Sequence, residues 1–487
     1  MHFDRPGIQE GLERRGWIRK ISSTIDAGAE DTSFRDPDSD TVVTLPYAVT
    51  PTFIWVHFGL PYTLLEEDQI LNFFANINCF TSKAGLCVTL KRLRMFTDVN
   101  ADTFFPRCYD LTEKKGKQLF VDDFMATAAR SILKWVIRRN QKTSQVEETT
   151  TDGCTSIESV PVETILAAFK ICKMCLGISE NDDIDKECEE MDTDWTEFRE
   201  RYYRVIHDGA DIENSASHVD RCCSVLHKIK AIHPQLDIDG ERNIWILKPA
   251  FLSQGRDIMC MNRLNDIIDH VEDTQCSSFE KRWVIQKYIE RPLLIYETKF
   301  DVRQFFLVTD WEPLTIWFYK VNYIRFSSQP FNLENLDRSI HLCNRSIQKY
   351  LTNAPNRHPD LPEINVWSNK RMQEYLRMIG AEHAYEEVMM PGMKKALLHT
   401  LQACQDTVYK RENSFDFYGA DFMFGEDFQP WLIEINFRPD LSSPSEVTEG
   451  IFKNLLEDIL KVVLDRKTDP NCDTGAFELI QEQVHLY

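Results

Sequence analysis

The sequence predicts an α+β fold, and three observations carry that expectation. Apolar runs rich in β-branched and aromatic residues alternate with segments of helical periodicity, turn residues join several runs into antiparallel hairpins, and no internal repeat is present. The 487 residues, 43% hydrophobic and 27% charged, suffice for two or three packed domains. The same figures exclude a disordered chain, a collagen-like repeat and a disulfide-stapled miniprotein.

From the N-terminus, an amphipathic helix is expected over Ile8 to Ile21, followed by the polar loop AGAEDTSFRDPDSD. Thr52 to Phe58 reads as a strand, and Glu66 to Ile77 as a helix with Ile70, Phe73, Phe74 and Ile77 on its apolar face. TSKAGLCVTLKRLR reads as a lysine-bearing loop entering a second extended segment. Phe120 to Arg139 is a long helix burying Phe124, Ala128, Ile132 and Val136. Residues 141–160 and the acidic run 180–194 read as solvated linkers around a helix from Pro161 to Gly177. Strands follow at 243–249, 283–289, 300–308 and 314–327, with a helix from Met261 to Val271 between the first two. Residues 332–381 are polar and carry no clear pattern. A helix from Pro391 to Lys410, a hairpin over 417–436 and an amphipathic helix from Ser445 to Asp465 close the chain. Four regions result: N-terminal (1–140), acidic linker with a helix (141–200), central (201–325) and C-terminal (326–487).

The formal net charge of -21 argues against a general nucleic-acid binder, which needs excess Lys and Arg to displace counterions. No apolar run is long enough to span a membrane, and the N-terminus places acids and bases where a signal peptide needs an apolar core. No nucleic-acid partner, no membrane and a cytosolic location are therefore expected. Among the 14 cysteines only Cys172 and Cys175 form a CxxC pair. Cys222, Cys223, His227 and His233 fit zinc spacing poorly, so reduced, mostly buried cysteines are expected.

Three constellations carry chemistry. Turn chemistry at Gly425, Glu426 and Asp427 places Asp421 opposite Glu434, with Asn436 on the same strand face as Glu434. The opposite face would carry Ala420, Phe422, Phe424, Trp431, Ile433 and Ile435. Two carboxylates and an amide form either the exposed polar face of an edge hairpin or an oxygen-donor site for a hard cation such as magnesium. Lys299, Asp301 and Arg303, spaced by two, share one strand face: a solvated face, or a charge clamp for phosphate chemistry. In NIWILKPAFLSQGRDI, Lys248 ends a strand before a loop with Ser253 and Gly255. This is a surface turn or a phosphate-holding loop, and it lacks P-loop spacing.

In this order, KPAFLSQGRDI (248–258), QKYIERPLLI (286–295), KFDVR (299–303), YGADFMF (418–424) and WLIEIN (431–436) resemble the tubulin-tyrosine-ligase-like family. GLERRGWIRK, FTSKAGL, FFPRCYDL and DWTEFRERYYRVIHDGA extend the resemblance upstream. The segment 317–351 looks most like the tubulin glycylases of monoglycylase type. The resemblance implies an ATP-grasp-like core with an N-terminal α/β domain, and an ATP-dependent ligase. Such an enzyme joins glycine to glutamate γ-carboxylates in tubulin tails through an acyl phosphate. A glutamate ligase and a microtubule-binding paralogue without catalysis are the alternatives. By the same resemblance, Lys248, Gln286, Lys287, Tyr288, Ile289, Lys299 and Asp301 would bind ATP, the hinge residues 286–289 reading the adenine edge. Arg303 and Arg325 would stabilise the transferring phosphoryl group. Asp421, Glu434 and Asn436 would hold magnesium, and Lys83 would meet the nucleotide or the acceptor tail. Tubulin and microtubules, glycine, and a place in the cytoplasm and cytoskeleton (the axoneme of a cilium or flagellum) follow.

Two further expectations concern charge. Family members resembling this chain carry Gly at the positions of Ala250, Asp257 and Glu297, and smaller residues at Phe437-Arg438, so a carboxylate at 257 would repel a triphosphate unless it points away. Acidic tails would need local basic segments of this acidic chain, such as Lys91-Arg92-Leu93-Arg94 or Arg138-Arg139.

Overall fold

Two antiparallel sheets, each backed by helices, organise the chain. The computed structural model describes residues 6–18, 50–56, 62–95, 97–143, 158–176, 195–252, 255–277, 282–442 and 445–482. The smaller sheet contains β1 (Cys108–Asp110), β2 (Trp245–Pro249), β3 (Met259–Met261) and β4 (Trp283–Lys287), in the order β1-β4-β2-β3. Alternation along its strands separates two jobs. Trp245, Leu247, Trp283 and Ile285 pack into a core with the helices Lys114–Thr143, Glu163–Leu176, Trp195–Ile206 and Val219–Ile232. Lys248, Val284 and Gln286 face the opposite side and line a cavity.

The larger sheet is built on one long strand. It comprises β5 (Leu294–Ile295), β6 (Thr298–Trp311), β7 (Leu314–Tyr319), β8 (Tyr323–Phe326), β9 (Val366–Ser368), β10 (Asp416–Phe424), β11 (Pro430–Phe437) and β12 (Phe477–Glu482). On one edge β6 pairs first with β8 and then with β7; on the other, Val302 to Val308 pair with Phe422 to Asp416 of β10, which pairs with β11. One face of the sheet, with Phe306, Ile316, Phe318 and Phe422, packs on the helices Asn369–Met378 and Met390–Gln402. The other, with Phe305, Leu307, Trp317 and Phe417, packs on the helix Glu446–Leu460 and on Ile8 of the helix Pro6–Arg14. Gly7 and Gly11 let that first helix lie against Leu456 and Leu460, and Arg15 chelates Asp465 at 2.7 and 2.6 Å.

Several expected elements change. The helix expected over Glu66 to Ile77 is instead turns and the short strand Ile70–Leu71, while the expected extended segment after it is the helix Lys83–Arg92. Ser82 caps that helix by accepting from the Gly85 amide, and Leu86, Cys87 and Leu90 supply its buried face. The strand expected over 314–327 is broken at Lys320 to Asn322 into β7 and β8, both of which return to β6. The first helix ends at Arg14, and Ile21, Phe58, Ser253 and the acidic run 180–194 lie outside the described residues. The unpatterned stretch 332–381 folds as the short helices Arg338–His341 and Arg345–Gln348, then β9 and the helix Asn369–Met378. Among the described residues, no helix is long and apolar enough to cross a membrane.

Candidate active site

The hairpin of β10 and β11 brings its polar face together because its register shifts. From the turn inward Phe424, Met423 and Phe422 oppose Pro430, Trp431 and Leu432; beyond a bulge at Ile433, Asp421 opposes Glu434 and Ala420 opposes Ile435. The extra residue in β11 is what sets Glu434, rather than Ile433, against Asp421. It also corrects the expected apolar face: Leu432 takes the place assigned to Ile433, Trp431 packs with Met423, Ile238 and Ile289, and Ile433 lines a cavity. Asn436 Nδ2 lies 3.3 Å from Asp421 Oδ2 and 3.4 Å from Glu434 Oε1, so the two carboxylates and the amide do converge.

The polar face of β6 meets this hairpin. Arg303 donates from Nε to Asp421 Oδ1 at 2.5 Å and from Nη2 to Oδ2 at 3.2 Å. Arg325 on β8 chelates Asp301 at 2.6 and 2.8 Å and reaches Asp421 Oδ2 at 2.9 Å. Burial alone would raise the Asp421 carboxyl, but the two guanidinium groups outweigh it and hold Asp421 well below the usual carboxylate range. Gly419 makes room for this clamp, since a Cβ there would sit 2.9 Å from Arg303 Cδ. Lys299 is buried, with Nζ 3.8 Å from Cys343 Sγ.

Two cavities converge on this cluster. The first, of about 280 Å³, is lined by Lys83, Lys248, Ala250, Gln286, Glu434 and Asn436, among others. Lys248 donates to Gln286 Oε1 at 2.6 Å, and burial pushes its ammonium pKa down, with Glu434 working against that. Lys83 holds the Leu252 carbonyl at 2.7 Å and stands 4.0 Å from Glu434, so it belongs to this side. The second cavity, of about 460 Å³, is lined by Arg303, Arg325, Cys343, Arg345 and Lys349 and reaches the same Glu434 and Asn436. Much of its wall comes from the glycylase-like segment 317–351.

The hinge residues divide. Gln286 faces the first cavity. Lys287, one residue on, points into the helical core and is bound by Glu290 at 2.7 Å and by the Ile244 and Tyr288 carbonyls at 2.9 and 3.1 Å. Tyr288 donates to His341 Nδ1 at 2.7 Å, because His341 Nε2 donates to the Asn335 carbonyl. Ile289 packs on Met423 and Trp431. Of the expected hinge 286–289, the structure puts the Gln286 side chain in the first cavity and those of Lys287, Tyr288 and Ile289 in the interior, so any adenine reading by these three falls to their backbone. Strand alternation and hydrogen bonding commit all three to the protein interior.

Among the described residues no three His, Cys, Asp or Glu side chains gather at metal-ligand spacing. Glu434 and Asn436 nonetheless fit a hard cation, and Asp421 would join them by sharing oxygens that Arg303 and Arg325 hold. Their donors are oxygen, Glu434 opens to both cavities, and Asn436 places a partial positive charge between the carboxylates where turning its amide would present Oδ1 instead. The expected repulsion from Asp257 is not met. Its side chain is exposed and lines neither cavity, and its φ of 54° explains why glycine suits the position. Glu297, at φ 56°, is likewise exposed, in the two-residue hairpin turn joining β5 to β6. Arg438 turns onto the Phe437 ring, 4.4 Å from its centroid. The two basic segments are largely neutralised: Arg94 pairs with Asp102, Arg138 with Glu241 and Arg139 with Asp211, and Lys91 lies over the Tyr109 ring.

Residues 180–472 match the tubulin-tyrosine ligase family. The chain is 45% identical over 451 residues to the tubulin monoglycylase TTLL3 of Mus musculus, covering 89% of this chain and 49% of the relative. It is 43% identical to the Homo sapiens tubulin monoglycylase TTLL3, over 98% of this chain and 64% of the relative. To the Homo sapiens protein monoglycylase TTLL8 the identity is 40%, over 98% and 61%. The chain thus spans about half to just under two thirds of these relatives. The match over more than half of its residues shows that this chain belongs to the tubulin-tyrosine ligase family.

Proposed function

We propose that this chain is an ATP-dependent ligase that joins glycine to the γ-carboxylate of glutamate residues in tubulin tails. One observation carries the reading: a cation-lined nucleotide-sized cavity and a separate larger one meet at Glu434 and Asn436. A ligase that must bring a nucleotide phosphate to an acceptor carboxylate needs two chambers with one shared wall. The tubulin monoglycylase names of the relatives support the substrate and the branch-initiating kind; the cytoskeleton, notably the axoneme of a cilium or flagellum, is the place of action that belongs to the same proposal.

In this reading Lys248 and Lys83 hold the polyphosphate in the first cavity, and Gln286 with the backbone of the 286–289 hinge reads the adenine edge. Asp421, Glu434 and Asn436 would hold magnesium, which neutralises phosphate charge and polarises the P–O bond. The glutamate γ-carboxylate, entering from the second cavity, attacks the γ-phosphorus and ADP leaves, giving an acyl phosphate. The glycine amine then attacks the carbonyl carbon, phosphate leaves and the amine proton is released. Arg303 and Arg325, set beside the junction and held by Asp421 and Asp301, receive the charge that both steps concentrate. Lys299 supplies a further buried cation on the same strand face. Incubating the protein with tubulin, magnesium-ATP and labelled glycine or labelled glutamate tests the proposal. Glycine incorporation supports it, glutamate incorporation reassigns the amino acid, and incorporation of neither removes the ligase reading.

A further inference from the structure

We infer that Arg345 and Lys349 form the wall on which an acidic peptide docks beside the reaction centre; this deepens the proposed function and rests on it. The second cavity opens beside a short helix, Arg345–Gln348, whose last turn continues into Lys349. Lys349 retains helical backbone angles, so the two cations stand four residues apart on one helix face, about 5–6 Å between Cβ atoms.

Both cations lack a carboxylate partner within 4.0 Å among the described residues, in a chain whose net charge is -21. The Arg345 guanidinium is instead held in place by neutral acceptors, the Ser442 carbonyl at 2.7 Å and hydroxyl at 3.2 Å. Ser442 is fixed in turn by Asp440, through its amide and hydroxyl at 2.8 Å each. Lys349 is exposed, its ammonium 4.7 Å from the centroid of the equally exposed Tyr350 ring. Arg303 and Arg325 on the cavity floor are paired with Asp301 and Asp421 and lie at the reaction centre, so among the described residues lining this cavity Arg345 and Lys349 are the cations without a carboxylate partner, placed to meet an anion outside that centre.

An acidic peptide fits this geometry. In an extended chain, side chains two residues apart point the same way and lie about 6.6 Å apart. Two carboxylates at that spacing can meet Arg345 and Lys349 while a neighbouring glutamate reaches inward toward Arg303 and Arg325. The lining acids, Glu363, Glu434 and Asp440, sit on other segments, so one wall is positive rather than the whole groove. The arrangement also relocates tail binding from the basic segments expected at 91–94 and 138–139, whose charges are largely taken.

The test measures equilibrium binding of a fluorescent glutamate-rich peptide to the full chain, with a glutamine-substituted peptide as control. Lys349→Glu, at an exposed position, and Arg345→Gln are compared with wild type. Together they should weaken peptide binding roughly tenfold, about threefold per solvent-accessible pair, with a shallower dependence on salt. In turnover assays the peptide KM should rise more than kcat falls, and the glycine KM should hold. Wild-type peptide affinity in both variants overturns the inference. So does a raised glycine KM with unchanged peptide affinity, which would assign the cations to the incoming amino acid. If wild type binds the peptide through these residues yet transfers no glycine, the docking wall stands and the ligase reading falls.

Discussion

Asp421→Asn isolates the charge at the centre of the site. Asp421 is 3% exposed and accepts from Arg303 at 2.5 and 3.2 Å and from Arg325 at 2.9 Å. Arg325 keeps Asp301 when Asp421 is neutralised, but Arg303 has no other carboxylate within 4.0 Å among the described residues. The isosteric amide therefore leaves one buried guanidinium without its counter-charge, a loss of about 3–5 kcal/mol. The pH dependence has a definite sign. A carboxyl whose folded pKa lies below its unfolded value contributes stability that is complete above the unfolded value, near 3.9, and is lost as pH falls through the folded one. Urea midpoints of the two proteins should thus differ by a constant amount from about pH 8 to 5 and converge as pH falls below about 3. A difference under about 1 kcal/mol at pH 7, or one equally large at pH 2, would refute the clamp.

Further outcomes follow from the same geometry. Glu434→Gln should abolish magnesium-ATP-dependent turnover while circular dichroism and the unfolding midpoint stay near wild type, because Glu434 opens to both cavities; wild-type turnover would remove the cation assignment. Lys248→Met should raise the KM for ATP at least about tenfold with little change in fold, since among the described residues its ammonium hydrogen-bonds Gln286 alone; isothermal titration with ADP checks it. Lys287→Met should act oppositely, losing about 3–5 kcal/mol of stability by stranding buried Glu290, with nucleotide affinity per folded molecule unchanged. Asp257→Gly should change stability by less than about 1 kcal/mol, because aspartate tolerates the left-handed backbone and glycine adds unfolded-state entropy, with the ATP KM unmoved; a lowered KM would restore electrostatic repulsion at that position.

The parts of the site legible in the sequence are those fixed by short-range geometry. Period-two alternation on β6 suffices to align Lys299, Asp301 and Arg303, and a turn at Gly425 brings Asp421 near Glu434, although the turn alone would set Ile433 against Asp421. The bulge at Ile433 was not legible, because its cause is distant in the chain: the Leu432 amide donates to the Phe104 carbonyl at 2.7 Å. The same alternation separates Gln286 from Lys287, and applying it to WVIQK would have assigned Lys287 to the interior beside Trp245, 5.7 Å from its ring centroid. Ser82 was the missed signal for Lys83. A cap three residues before Gly85, with Leu86, Cys87 and Leu90 at helical spacing, marks a helix start that TSKAGLCVTL half conceals behind β-branched residues. Arg345 and Lys349 had no such signal, since helices of four residues are too short to show a period.

The departures at Asp257 and Glu297 are better understood as backbone costs than as charges at the site. Both residues occupy left-handed conformations that a glycine would adopt without a Cβ clash. For Glu297 the cost is shared with Tyr296, at φ 48°, whose ring stacks on His358 at 3.8 Å and packs against Tyr375 at 5.1 Å. That aromatic packing holds the turn from which Lys299 and Asp301 start. For Asp257, aspartate is among the few side chains that tolerate the conformation, and Gly255, at φ 68°, takes the tighter position, where a Cβ would meet Ile347 at 2.5 Å. Ile347 belongs to the same short helix as Arg345. The loop that follows Lys248 beside the first cavity therefore packs directly on the element that walls the second. A shift of that loop on nucleotide binding would be felt by Arg345 through Ile347, so the two chambers are joined by packing as well as by Glu434 and Asn436.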